Sequence, residues 1–124
     1  MKRAYERLLD YVVVYTTSDE KSQTVPSADR EFDLAHKLVA EMKEIGIADA
    51  HVDEQCYVYG TLPATQGMED KPAIGFIAHM DTAPDFCGQG VKPVLHENYD
   101  GGDVVLGESG RTLSVKDFPH LKNY

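Results

Sequence analysis

An α/β fold is what this sequence predicts, and three observations carry it. Two stretches of helical apolar spacing lie at residues 5–13 and 27–45. A run without charge follows at residues 73–78, with the length and composition of a buried strand. Around them lie short β-branched and aromatic segments bounded by turn residues. A chain of 124 residues, 42% apolar and 27% charged, suffices for one domain and is short for two.

Taken in order, Tyr5, Leu8, Leu9, Val12 and Val13 mark one face of a helix. The β-branched stretch at 12–17 predicts that this helix fades there. Residues 19–26 are polar and end in Val25-Pro26, which reads as a loop because helix is disfavoured before proline. Ser27 is then the expected N-cap, with Asp29 and Glu31 in a first turn that favours negative charge. Phe32, Ala35, Leu38, Val39, Met42 and Ile45 keep the helical spacing, and Gly46 supplies the stop. His36, one position off that stripe, is expected at the surface.

Residues 48–54 and 55–62 predict two short strands, followed by a polar connector at 63–71. The apolar run comes next. It is expected to be a central parallel strand, buried on both faces. Residues 94–99 and 104–106 read as further strands around Asp100-Gly101-Gly102-Asp103. That turn lacks the alternating oxygen ligands and terminal glutamate of a calcium loop. Gly88-Gln89-Gly90 has no strong strand before it and no helix after it, so it is no phosphate cradle. The tail from Thr112 shows no clear period. A central parallel strand needs neighbours on both edges and helices on both faces. Both convincing helices precede the run, so the layout is that of an opening portion of a domain.

The formal charge of −9 argues against electrostatic binding to nucleic acid or to an anionic membrane surface. No 18-residue apolar stretch and no signal core are present, and a soluble, cytoplasmic protein is expected. Cys56 and Cys87 lie in no CxxC pattern and read as two reduced thiols, one on a strand and one in a loop.

The run at 73–78 empties into His79-Met80-Asp81. Side chains on a strand alternate, so His79 and Asp81 leave its end on one face. Ligands of open α/β sheets sit beyond the carboxyl ends of the strands. There an imidazole can ligate a metal and a carboxylate can orient it. His-x-Asp is a weak motif by itself, since this composition yields about half an occurrence by chance. The chain holds a second, His51-Val52-Asp53, in polar surroundings that suit an exposed edge strand. Burial context favours the pair at 79 and 81.

The stretch at residues 74–85, Ile-Gly-Phe-Ile-Ala-His-Met-Asp-Thr-Ala-Pro-Asp, resembles the first metal-site motif of the co-catalytic zinc aminopeptidase and carboxypeptidase family. Val25-Pro26-Ser27, the Gly60-Thr61-Leu62-Pro63-Ala64 stretch and residues 97–103 extend the resemblance over nearly the whole chain, toward the tripeptide aminopeptidase branch. The resemblance implies the N-terminal portion of a zinc-exopeptidase-like catalytic domain, its helices packed on a mixed sheet, incomplete in this chain. It implies His79 as a zinc ligand and Asp81 as the catalytic carboxylate beside it. Two zinc ions per complete site, tripeptide substrates and a homodimer are implied for the complete enzyme. The bridging aspartate, the general-base glutamate and the remaining ligands are expected beyond residue 124, as is an inserted dimerisation domain. Residues 1–124 alone are then expected to be inactive. Two alternatives stand beside this reading: a dipeptidase or amino-acid deacylase of the same family, and a non-enzymatic acidic α/β interaction module.

Overall fold

The computed structural model describes residues 2–123. They fall into two units, Met1–Pro93 and Val94–Tyr124. In the first unit lie helix α1 (Ala4–Tyr11), helix α2 (Glu31–Glu44) and the strands β1 (His51–Val52) and β2 (Val58–Tyr59). In the second, β3 (Val104–Leu106) and β4 (Arg111–Leu113) flank a 3-10 turn at Gly107–Ser109, and a further 3-10 segment covers Pro119–Asn123.

Helix α1 ends where β-branched residues begin, as its sequence predicts. At its start the Arg3 amide donates to Glu6 Oε2 at 2.7 Å, filling one of the amide positions a helix leaves open. It meets α2 through polar contacts. Arg7 Nε lies 3.1 Å from Glu41 Oε1, the Tyr11 hydroxyl donates to Glu41, and Lys37 Nζ donates to the Asp10 carbonyl at 2.7 Å. Burial, and then the Glu41 carboxylate, push the Tyr11 phenol up to about 12.

Helix α2 starts later than expected. Ser27 is not its cap, because the Ser27 hydroxyl is committed elsewhere: it accepts from the Asp19 amide at 3.0 Å and donates to Glu31 Oε1 at 2.8 Å. Residues 28–33 are joined by three-residue turns, Glu31 to Ala28, Phe32 to Asp29 and Asp33 to Arg30, which lead into the α-helix with Arg30 at its boundary. The other end is as read. Gly46 takes φ +102°, a left-handed conformation that ends a helix at little cost for glycine. His36 is exposed and stacks on Phe32 at 5.9 Å.

β1 and β2 pair antiparallel with His51 opposite Tyr59 and Val52 opposite Val58. α2 packs on this hairpin. Leu34 and Ala35 of the helix, Ala50 before β1 and Cys56 between the strands are buried. Cys56 is therefore in the turn, not on a strand, and it holds φ +67°. The turn is built on Asp53, whose Oδ1 accepts from the amides of Gln55 at 3.0 Å and Tyr57 at 2.8 Å.

Two strand expectations fail. Residues 73–78 belong to no strand among the described residues, and their large side chains are exposed: Ile74 82%, Phe76 94%, Ile77 101%. Apolar composition states a preference for burial but supplies no neighbouring strand, and a strand exists only through its ladder. The parallel pairing survives as a single bridge, Thr17 to Thr82. Residues 94–99 also form no strand. Asn98 at φ +53° turns the chain there, and the Tyr99 hydroxyl reaches over to the Gly102 carbonyl.

β3 lies where it is expected. Its partner β4 comes from a stretch without clear period, brought alongside by Gly110 at φ +69° in the register Val104–Leu113, Val105–Thr112 and Leu106–Arg111. Among the described residues the architecture is thus a small α/β arrangement of two helices and two antiparallel hairpins, without the larger mixed sheet. No described helix is long and apolar enough to cross a membrane.

Candidate functional site

His79 and Asp81, two residues apart in a segment that is neither helix nor strand, meet side chain to side chain. His79 Nδ1 lies 3.1 Å from Asp81 Oδ1. A carboxylate only accepts, so Nδ1 carries the proton, and in the neutral ring the Nε2 lone pair points away. This is the arrangement in which a carboxylate orients a metal-ligating imidazole. The His79 side chain is 84% exposed and that of Asp81 40%, so Nε2 is open to a metal or a substrate.

The second His-x-Asp pair is not brought together by its strand. His51 Nδ1 lies 2.9 Å from the Asp49 carbonyl oxygen, and its ring stacks on Tyr59 at 5.4 Å. Asp53 is occupied by the turn amides described above. Spacing is the same in the two pairs and only one is joined.

His79 and Asp81 open onto a cleft of about 770 Å³. That volume falls in the range of roughly 300–1,000 Å³ common for small-ligand sites. Tyr57 and Tyr59 of the hairpin, Phe76 and Ile77 of the apolar run, and Ser27 and Glu31 before and at the start of α2 help to wall it. Cys56 also lines the cleft. Burial first, then the Glu31 and Asp53 carboxylates, push its thiol above the usual range, which keeps it protonated and a poor nucleophile. A smaller hollow of about 410 Å³ between α1 and α2 is lined by charges already paired with one another, Lys2 with Asp10 and Arg7 with Glu41.

The donor set is one imidazole and one carboxylate. Among the described residues, no three His, Cys, Asp or Glu side chains converge as a metal-binding group. A zinc site takes three or four protein ligands, so the pair fits one corner of such a site and does not hold zinc by itself.

Sequence reasoning missed the groups that hold the segment in place. Immediately after Asp81, the Thr82 amide donates to the Thr16 carbonyl at 3.1 Å and the Ser18 amide to the Thr82 carbonyl at 3.0 Å. The hydroxyls of Thr17 and Thr82 lie 3.0 Å apart. Threonines and a serine in polar loops carry no local signal, and the partners are far apart in the chain.

Over all of its residues the chain is similar to bacterial proteins named peptidase T. It is 52% identical over 126 residues to the one from Alkaliphilus oremlandii and 51% identical over 127 residues to the one from Caldanaerobacter subterraneus. It is 46% identical over 123 residues to the one from Aliivibrio fischeri. These alignments take in 100%, 100% and 99% of the chain, and 31%, 30% and 30% of the relatives. The chain thus spans about 30% of the length of the curated relatives it matches. No family model matches it. The resemblance carried by the sequence motifs is borne out by this similarity to peptidase T across the whole chain.

Proposed function

We propose that this chain is the N-terminal part of the catalytic domain of a zinc-dependent aminopeptidase that releases the first residue of tripeptides. His79 is one metal ligand through Nε2, and Asp81 is the carboxylate that sets its tautomer and raises its basicity. The observation that carries the reading is the 3.1 Å contact between His79 Nδ1 and Asp81 Oδ1 at the mouth of a cleft. Similarity to peptidase T over the full chain supports it. A bound metal supplies carbonyl polarisation and an activated water in such enzymes. The residues of this chain supply one ligand, its orientation and part of a wall for the peptide. The general base, the remaining ligands and an inserted dimerisation domain belong to the longer protein in this reading. The 124-residue chain alone is then inactive and binds zinc weakly.

The test is a chimera in which this chain replaces the aligned segment of the Alkaliphilus oremlandii relative. The expected result is tripeptide hydrolysis by the chimera and none by the isolated chain. His79→Ala in the chimera should lose about one bound zinc, as removal of a ligand from a three- or four-ligand site implies. Asp81→Ala should retain more metal while activity falls about 10–100-fold, the usual cost of losing a metal ligand's partner. A folded chimera that leaves tripeptides intact overturns the reading.

A second reading, a non-enzymatic interaction module, draws on the exposed side chains of Ile74, Phe76 and Ile77. A chain that stays monomeric at high concentration with these side chains exposed would favour it. Self-association that Phe76→Lys suppresses would favour a face that the longer protein covers.

A further inference from the structure

The His79–Asp81 contact is exposed, and water competes with it on both partners. Such a contact contributes little unless the backbone beneath it is already held. Residues 73–78, on its N-terminal side, have no ladder among the described residues to hold them. On its C-terminal side the chain is clasped at the next residue. The Thr82 amide and carbonyl bond to Thr16 and Ser18, the Ser18 hydroxyl adds a bond to the same carbonyl at 3.2 Å, and Thr17 reaches across to Thr82.

Thr17 is the centre of this clasp. Its residue is 6% exposed. Its hydroxyl accepts from the Gly88 amide at 3.1 Å and pairs with the Thr82 hydroxyl at 3.0 Å. One hydroxyl has a single proton and two lone pairs, so both bonds can be made at once. Its carbonyl accepts from Arg30, with Nε at 2.9 Å, and Arg30 in turn lies over the Tyr15 ring. A Cβ at Gly88 would fall 2.4 Å from Thr17 Oγ1, so the absence of a side chain there lets the amide come this close.

We infer that Thr17 is a positioning residue for the His79–Asp81 pair and acts on it through Thr82. Fixing the backbone of Thr82 fixes the direction in which the Asp81 side chain leaves the chain next to it, and Asp81 then holds the His79 ring with Nε2 outward. What the pair is for rests on the proposed peptidase reading; its dependence on Thr17 does not.

Nitrogen-15 spectra of the histidine rings in the 124-residue chain, at a pH where imidazole is neutral, read the tautomer directly. Wild type should show His79 mainly protonated on Nδ1. Thr17→Val keeps the shape of the side chain but leaves the Gly88 amide and the Thr82 hydroxyl without this partner. It should shift the tautomer ratio about fivefold toward Nε2–H, the population equivalent of roughly one hydrogen bond. Thr17→Ser, which keeps the hydroxyl, should restore the wild-type ratio. If Thr17→Val does not fold, Thr82→Val removes the same hydroxyl pair from the other side and should give the same shift. An unchanged ratio in the folded valine variant, or no Nδ1–H preference in wild type, overturns the inference. Zinc retention by the chimera separates the two claims. A tautomer that follows Thr17 in this chain, while His79→Ala leaves the zinc content of the chimera unchanged, would count against the metal reading and leave the positioning role standing.

Discussion

Tyr11 and Gly60 illustrate how single residues set this structure. The Tyr11 phenol is pushed up to about 12 from its ordinary 10.0 by burial and by the Glu41 carboxylate. The folded state therefore keeps the proton that the unfolded chain gives up near pH 10. The stabilisation is complete below that pH and is lost as pH rises through about 12. Alkaline unfolding followed by circular dichroism should show this loss in wild type, while Tyr11→Phe lacks that component; identical curves would refute it. Gly60 sits where a Cβ would lie 2.4 Å from Met42 Cε and 2.6 Å from Ile47 Cγ2. Methionine's end can swing away, but the branched isoleucine has less room to give. Gly60→Ala should cost about 1–3 kcal/mol in denaturant titration, the usual range for overpacking. Neither effect is legible in sequence. Gly60 lies in a predicted strand and Tyr11 in a predicted helix, and only their neighbours give them these roles.

At the scale of elements, α2 and the β1–β2 hairpin form the core, and Leu34 with Ala35 is buried between them. Leu34→Ala should destabilise the chain by about 2–5 kcal/mol, through lost burial and the cavity left behind. A core this small leaves little reserve, so loss of the cooperative melt by circular dichroism is the expected outcome. A melt as sharp and as high as wild type would show that the core lies elsewhere. Both helices and the first hairpin were legible because apolar spacing, β-branched ends and Gly46 are local signals. The start of α2 was not. Ser27 has the chemistry of a cap, but its hydroxyl is held by Asp19 and Glu31. β4 was also invisible, since its pairing depends on β3 and not on a pattern of its own.

For the molecule as a whole, the exposed run is the dominant liability. Ile74, Phe76 and Ile77 present contiguous apolar side chains beside a backbone without strand partners among the described residues. Such edges pair with other chains. The 124-residue chain should self-associate with rising concentration in light scattering, and Phe76→Lys should suppress this. A chain that stays monomeric at high concentration would remove the argument. The run was correctly read as apolar. The strand and its burial were the wrong part of the reading, because neighbouring strands are what make and bury a strand.

Local sequence determined the two helices, the first hairpin and the third strand. Each follows from backbone periodicity and turn chemistry within a few residues. Tertiary structure alone decided which of two His-x-Asp pairs is joined, where the apolar run lies, and that Thr17 clasps Thr82 beside the site. Those outcomes depend on hydrogen-bond partners distant in the chain, and a local pattern of side chains does not specify them.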